Sequence, residues 1–419
     1  MRILHTSDWH LGRNLEGRSR LPEQEQFLDE LVDIVTKEAV QIILVAGDVF
    51  DSYNPAAEAE KLYYDALERL SDNGRRAVVV IAGNHDSPER LHAPNPLALK
   101  HGIALMGYPR EILPAGTAPG GIRRVNTGPG WVELTAPGWD ESAVVYGLPY
   151  PSESRLNETL TETLDDCSQQ AAYSERVGEL FAAADRIFRT DTVNLAAAHL
   201  FAWGGLESES ERQLGGALAV SPLVMPQQAG YIALGHLHRP QQLHSAPQAC
   251  RYSGSPLSFS FSEADQRKEV VIVEALPGRP AQVNPVGLSC GKALKRWRAD
   301  RLEEARRWCA EPANLECWVE LEIRADQPLG SSELAELRKL HPGIITIRPI
   351  FPELAAADPA ARRLSELPLI DRFKLFFERD RGIAPPEELV RFFLEMVNQA
   401  EPNPEENGDL LQPGGGEVA

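Results

Sequence analysis

Residues 41–48 read QIILVAGD and residues 77–86 read AVVVIAGNHD. Each is an unbroken apolar run, rich in Val and Ile, that ends in glycine followed by polar side chains. Such runs are too short for buried helices and fit strands covered on both faces. Between them lie two amphipathic stripes, Phe27, Leu28, Leu31, Ile34 and Val35, then Leu62, Tyr63, Leu67 and Leu70, each at the spacing of one helix face. Strand, helix and strand in alternation predict an α/β sheet with parallel strands. Residues 192–198 (TVNLAAA) and 231–234 (YIAL) extend the series, whereas the Gly- and Pro-rich stretch 112–142 reads as loops and sheet edge.

Every predicted strand of this series ends in a chemically charged motif. Asp8-Trp9-His10 follows the opening stretch MRILHTS, Gly47-Asp48 follows the run 41–46, Gly83-Asn84-His85-Asp86 the run 77–82, His199 the run 192–198 and Gly235-His236-Leu237-His238 the run 231–234. In open α/β sheets ligands gather beyond the carboxyl ends of the strands. In an extended chain residues i and i+2 share a face, so Asp8 with His10, and His236 with His238, are expected to present pairs to one point. The glycines ahead of Asp48, Asn84 and His236 suit sharp turns. Any one of these residues alone reads as a helix cap, a turn residue or a hydrogen-bonded histidine. Together they supply two carboxylates, an amide and four imidazoles, a mixed oxygen and nitrogen set suited to Mn²⁺, Fe or Zn²⁺. Seven ligands exceed one tetrahedral ion and match two ions with a bridging carboxylate.

The order D-x-H, G-D, G-N-H-D, H, G-H-x-H resembles that of the calcineurin-like metallophosphoesterases. The strings His5–Arg13 (HTSDWHLGR), Ala198-His199-Leu200-Phe201 and Tyr252–Leu257 (YSGSPL) resemble the branch whose members are bacterial nuclease subunits paired with an SbcC-like ATPase. The resemblance implies a four-layer αββα sandwich, a small α/β capping domain and C-terminal partner-binding helices. It divides the chain into a nuclease domain over 1–280, a cap over 281–355, an ATPase-binding segment over 356–400 and a disordered acidic tail over 401–419. It implies that Asp8, His10 and His238 hold one divalent metal, most readily Mn²⁺, that Asn84, His199 and His236 hold a second, and that Asp48 bridges both. His85 is implied to act as the proton donor to the leaving oxygen, with Asp86 supporting the site from behind. The implied activity is exonuclease on double-stranded DNA and endonuclease on single strands or hairpins, in a heterotetramer built on a homodimer. A phosphatase or small-molecule phosphodiesterase on the same fold is one alternative, and a DNA-end-tethering scaffold without catalysis is another. Against the protein-phosphatase branch, Asp48-Val49-Phe50-Asp51-Ser52-Tyr53 lacks that branch's arginine, and Asp86 stands where it has glutamate.

The 42 basic against 61 acidic residues give a net charge of −19, which by itself argues against phosphate binding driven by basic surface. Bound cations reverse that sign where it matters. Arg13, Arg18, Arg20, Arg251 and Arg267-Lys268 are the candidate DNA-backbone contacts near the motifs. Five cysteines without a C-x-x-C pair, no apolar run long enough to span a bilayer and no leader-like start predict a cytoplasmic protein without membrane attachment. Gly287–Ala293 is one residue short of a nucleotide-binding loop and ends in alanine, so ATP hydrolysis is assigned to a partner.

Further along, composition predicts a helix over 292–310, a strand over 316–324, a helix over 332–340 and a strand over 344–348. Aromatic stripes Phe373, Phe376 and Phe377, then Phe392, Phe393 and Met396, mark two helices expected to dock on the ATPase.

Overall fold

The computed structural model describes residues 1–156, 166–211, 218–325 and 327–351, with 373–375, 377–378, 385–386 and 389–390 beyond them. Met1–Arg324 and Pro328–Pro349 form one compact unit.

Two sheets dominate this unit. The first has six strands in the order Gln282–Gly287, Glu269–Glu274, Arg2–Thr6, Ile42–Ala46, Ala77–Ile81, Ile103–Met106. Its last four strands run parallel, as the apolar runs predict, and the first two are antiparallel additions. The second sheet has eight strands, with Ala143–Leu148, Val193–His199, Tyr231–Gly235 and Cys250–Tyr252 parallel at its centre. The strands Gly116–Thr117, Arg123–Gly128 and Trp131–Thr135 form its edge, within the stretch read as loop and sheet edge.

The layers follow from residue parity. Ile3, Ile42, Leu44, Val79 and Ile81 of the first sheet pack on Val145, Leu195, Ala197 and Ala233 of the second, giving a dry core between the sheets. Leu4, Ile43, Val45, Val78 and Val80 alternate with them and face outward, where they meet Phe27, Leu31, Tyr63 and Leu67 of the helices Leu21–Lys37 and Ala57–Ser71. Val144, Tyr146, Ala196 and Ile232 do the same against the helix Asp166–Ile187. Because every central strand is buried on both faces, period-two polarity vanishes from its sequence. The result is helix, sheet, sheet, helix.

A third sheet joins Ala293–Ala299, Cys317–Arg324 and Ile344–Ile350, backed by the helices Leu302–Ala310 and Ser331–Leu340. Here the sequence reading needs correction. The predicted helix over 292–310 is a strand followed by a helix. Arg296 and Arg298 pair with Glu320 and Glu322 across the parallel ladder, while Trp297 and Ala299 alternate into the core. Residues with good helix propensity adopt a strand because the neighbouring strand supplies partners on both faces. Trp318 Nε1 donates to Glu23 Oε1 at 2.6 Å, and Glu30 accepts from the amides of Ser289 and Cys290. These bonds tie the small sheet's region to the helix Leu21–Lys37.

The remainder, Ala325–Gln327 with Ile350–Ala419, forms a second unit. In it Phe373 and Phe377 are helical neighbours with ring centroids 6.2 Å apart. Phe376, Phe392, Phe393 and the acidic tail lie outside the described residues. Among the described residues no helix is long and apolar enough to cross a membrane.

Candidate metal centre

The strands Arg2–Thr6, Ile42–Ala46 and Ala77–Ile81 of one sheet, and Val193–His199 and Tyr231–Gly235 of the other, end along one rim. The loops leaving them interlock. Asp8 N–H donates to Gly47 O at 2.9 Å, and His10 N–H to Asp48 O at 3.0 Å. Trp9, between Asp8 and His10, is buried in the helix-side core, where its Nε1 donates to Thr6 Oγ1 and its ring meets Phe27 and Tyr63 edge-on. That anchor forces its neighbours the other way.

The backbone there is not extended. Asp8, His10, Asp48 and His236 have φ of 53°, 45°, 49° and 107°, in or near the left-handed region that side-chain-bearing residues rarely occupy. Asp8 and His10 do share a donor group, though not through extended backbone, whereas His236 and His238, expected to present to one point, are divided between the two groups because His236 itself turns out of the strand at φ 107°. The glycines also differ in role. Gly47 has a positive φ, whereas Gly83 and Gly235 are glycine because a Cβ would strike Asp48 and the Ala46 carbonyl.

All seven side chains converge. Asp8, His10 and His238 form one group whose donor atoms lie within 4.8 Å of one another, and Asp48, His199 and His236 form another. Asp48 lies between them: its Oδ2 is 3.4 Å from His199 Nε2 and 3.6 Å from His10 Nε2, while its Oδ1 accepts the His85 amide at 2.9 Å. Asn84 Oδ1 sits 2.9 Å from His199 Nε2 and 3.0 Å from His236 Nδ1. His85, partly exposed, donates from Nδ1 to the Asp51 carbonyl at 2.8 Å, and its ring lies against His10. A cavity of about 200 Å³ opens on Asp48, Asn84, His85, His236 and His238.

The electrostatics fit a cation. Burial pushes the imidazoles of His10 and His236 down to about 3, so both are neutral. Burial raises Asp8 to about 7. His199 is the exception: burial opposes its charge, but the adjacent Asp48 carboxylate lifts it to about 9. For Asp48, burial works upward and is overcome by His199, leaving the carboxyl well below its usual range. His199 Nδ1 already donates to Ala46 O at 2.8 Å. Its Nε2 therefore faces two more acceptors, Asn84 Oδ1 and Asp48 Oδ2, which requires a positive centre, either a proton or a metal. His10 turns its Nε2 toward His238 Nε2 at 3.0 Å and Asp48 Oδ2 at 3.6 Å, while its buried Nδ1 lies 3.4 Å from Asp51 Oδ1.

Residues 1–240 match the family model described as calcineurin-like phosphoesterase, and residues 290–381 match one described as type 5 capsule protein repressor C-terminal domain. The SbcD component of the SbcCD nuclease of Bacillus subtilis is 45% identical over 96% of this chain and 99% of its own length. The chain belongs to the SbcD family of nuclease subunits. Family members of the same name from Rhodobacter capsulatus and Escherichia coli K12 are 36% and 31% identical, over 66% and 78% of this chain and 67% and 79% of their own. With family membership the chain is a metal-dependent phosphoesterase.

Within this family frame, three basic residues proposed for DNA are otherwise engaged. Arg20 is fully buried, bound to Glu23 and to Ser258 O. Lys268 is buried with Nζ on Glu263, Gln266, Ser255 Oγ and His238 O. Arg251 is committed to Glu269. A sequence does not separate a guanidinium that neutralises an internal carboxylate from one that faces solvent. Arg18 is exposed, and Arg13 lies beside the centre, 3.4 Å from Asp51 and over the Phe259 ring.

Of the groups that support the site, the sequence marked Asp86 but not Arg155, Tyr150, Ser210, Glu211 or Glu263. Asp86 accepts the amides of Val49, Phe50 and Gly83, joining the two ligand loops as its expected supporting place implies. Arg155, unmarked by any local pattern, spans the Gly83 and Asp86 carbonyls at 2.7 Å each. Tyr150 stacks on His236. Ser210, Glu211 and Glu263 surround His238.

Proposed function

We propose that this chain is the catalytic subunit of a DNA end-processing nuclease, hydrolysing phosphodiesters with two divalent cations, Mn²⁺ in particular. The observation that carries the reading is the position of Asp48 Oδ2 between His199 and His10, with one group of donors on each side. Asp8, His10 and His238 would hold one cation, Asn84, His199 and His236 the other, and Asp48 both. Cations so held lower the pKa of a shared water and offset charge on the scissile phosphate. His85 lies against His10 but belongs to neither of the two donor groups named above. Its Nδ1–H is fixed on the Asp51 carbonyl, so Nε2 is the atom that delivers a proton to the departing oxygen. Arg155 and Asp86 hold the loop carrying Asn84 and His85 from both ends. Arg13 and Arg18 are the phosphate-backbone contacts of this reading.

The domain division in this proposal is 1–280 for catalysis, 281–355 for a cap and 356–400 for docking an SbcC-type ATPase, within a dimer-based heterotetramer. Exonuclease action on duplex ends and endonuclease action on hairpins or single strands follow from the same centre. The test is cleavage of a labelled hairpin duplex by the chain with its ATPase partner, with Mn²⁺ and after chelation. Mn²⁺-dependent cutting is expected, with restoration after metal is returned. Cutting that survives complete metal removal, or turnover of phosphomonoesters alone, refutes the reading.

Proton release gives a second check. Metal-free His199 carries its proton up to about pH 9, and a cation at Nε2 requires the lone pair. Mn²⁺ binding at pH 7.5 is therefore expected to release about one proton per chain. Release vanishes above pH 9, where the ring is already neutral. Calorimetry in buffers of different ionisation enthalpy measures this, and pH-independent release contradicts the assignment of His199.

A further inference from the structure

His238 is held more completely than any other member of the centre among the described residues. Its N–H donates to Glu211 Oε1 at 2.5 Å. Its carbonyl accepts from Lys268 Nζ at 2.9 Å and from the Ser255 amide at 3.1 Å. Its Nδ1 lies 2.9 Å from Ser210 Oγ, and Ser210 Oγ lies 2.6 Å from Glu263 Oε1. The other Glu263 oxygen is paired with Lys268 at 2.6 Å. Glu263, Lys268, Ser210 and Glu211 are not among the donors of the two groups, and the loop Ser208–Glu211 comes from a segment 27 residues and more before His238.

The direction of each bond follows from the chemistry of its ends. A carboxylate paired with an ammonium only accepts. The single hydroxyl proton of Ser210 must therefore go to Glu263. With that proton spent, Ser210 Oγ meets His238 as an acceptor, and the ring nitrogen facing it must be the donor. His238 then carries its proton on Nδ1 and none on Nε2, the atom 3.0 Å from His10 Nε2 in the group with Asp8. Glu263 itself lies 3.5 Å from Nδ1, too far for a strong direct bond, so the hydroxyl is the necessary intermediary.

We propose that Ser210, oriented by the Glu263–Lys268 ion pair, is a positioning residue that fixes His238 in its Nδ1–H tautomer and aims a bare Nε2 at the first cation. This deepens the two-cation reading above and rests on it. A carboxylate reaching a ligand imidazole through one hydroxyl sets ring orientation and basicity without touching substrate, and losing such support costs about 10–100-fold in metal affinity. Lys268 keeps Glu263 ionised and so keeps the proton direction fixed.

The test uses the full chain, labelled with ¹⁵N-histidine. Long-range ¹H–¹⁵N spectra of metal-free protein report the tautomer, and His238→Gln identifies the signal by its loss. The Nδ1–H form is expected in the wild type, a mixture in Ser210→Ala, and the Nδ1–H form again in Ser210→Thr. Titration with Mn²⁺ is expected to show one class of site weakened by about 10–100-fold in Ser210→Ala and restored to within about threefold in Ser210→Thr. A wild-type His238 protonated at Nε2 overturns the relay, whether or not the variants fold. So does a Ser210→Ala chain that binds both ions as the wild type does. Wild-type protein with the expected tautomer that binds no Mn²⁺ leaves the relay standing and sinks the two-cation reading instead.

Discussion

His85→Ala is expected to retain both cations and to cut a Mn²⁺-loaded hairpin substrate about 10²–10⁴-fold more slowly. The separation of effects rests on geometry. His85 contributes its backbone amide to Asp48 Oδ1, a bond that alanine keeps, while its side chain bonds to the Asp51 carbonyl and lies against the His10 ring. Removing the imidazole therefore leaves Asp48 where it is and deletes the proposed proton donor at the mouth of the cavity. The loss falls on kcat, because the proton is needed as the leaving oxygen departs and contributes little to ground-state binding. A substrate whose leaving group needs no protonation should recover most of the rate. Metal analysis beside single-turnover cleavage decides the matter, and equal rates for the two proteins would remove His85 from the reaction.

Asp48→Asn is expected to be the most damaging single substitution, lowering cleavage by at least about 10³-fold and leaving fewer than two cations per chain. The amide keeps an oxygen for the His85 N–H, so the loop geometry survives. Its NH₂ then points between His10 Nε2 and His199 Nε2, where it donates to lone pairs that would otherwise bind metal. A cation is thereby replaced by a neutral hydrogen-bond donor. The substitution also removes the counter-charge that holds the buried His199 imidazolium, so the metal-free fold loses an internal ion pair. The variant should unfold no later than metal-free wild type and gain little from added Mn²⁺. Thermal unfolding with and without Mn²⁺ reads both effects. A variant still stabilised by Mn²⁺ as strongly as the wild type would show that Asp48 is not the bridge.

The strand runs and the helical stripes were legible because they record burial, and burial of a whole strand or one helix face writes a pattern within a few residues. Asp8, Asp48, Asn84 and the four histidines were legible for a related reason. A strand that ends at a rim releases the next residue to the site, so each motif marks its own position in the chain. Residues 292–299 were not, because a strand that faces solvent on one side and takes its partners from 317–324 carries helix-like composition locally.

What the sequence by itself determined is the parallel α/β core and the identity of the convergent side chains, while the four-layer arrangement came with the family resemblance. Only the tertiary structure decided that Asp8, His10 and Asp48 sit in left-handed backbone, that Arg20, Arg251 and Lys268 serve internal carboxylates, and that Arg155 clasps the Asn84 loop. Backbone strain is tolerated only when the surroundings over-determine it, and a buried charge is stable only beside its counter-charge. In both cases the deciding partner lies far away in the chain, where no local window reaches it.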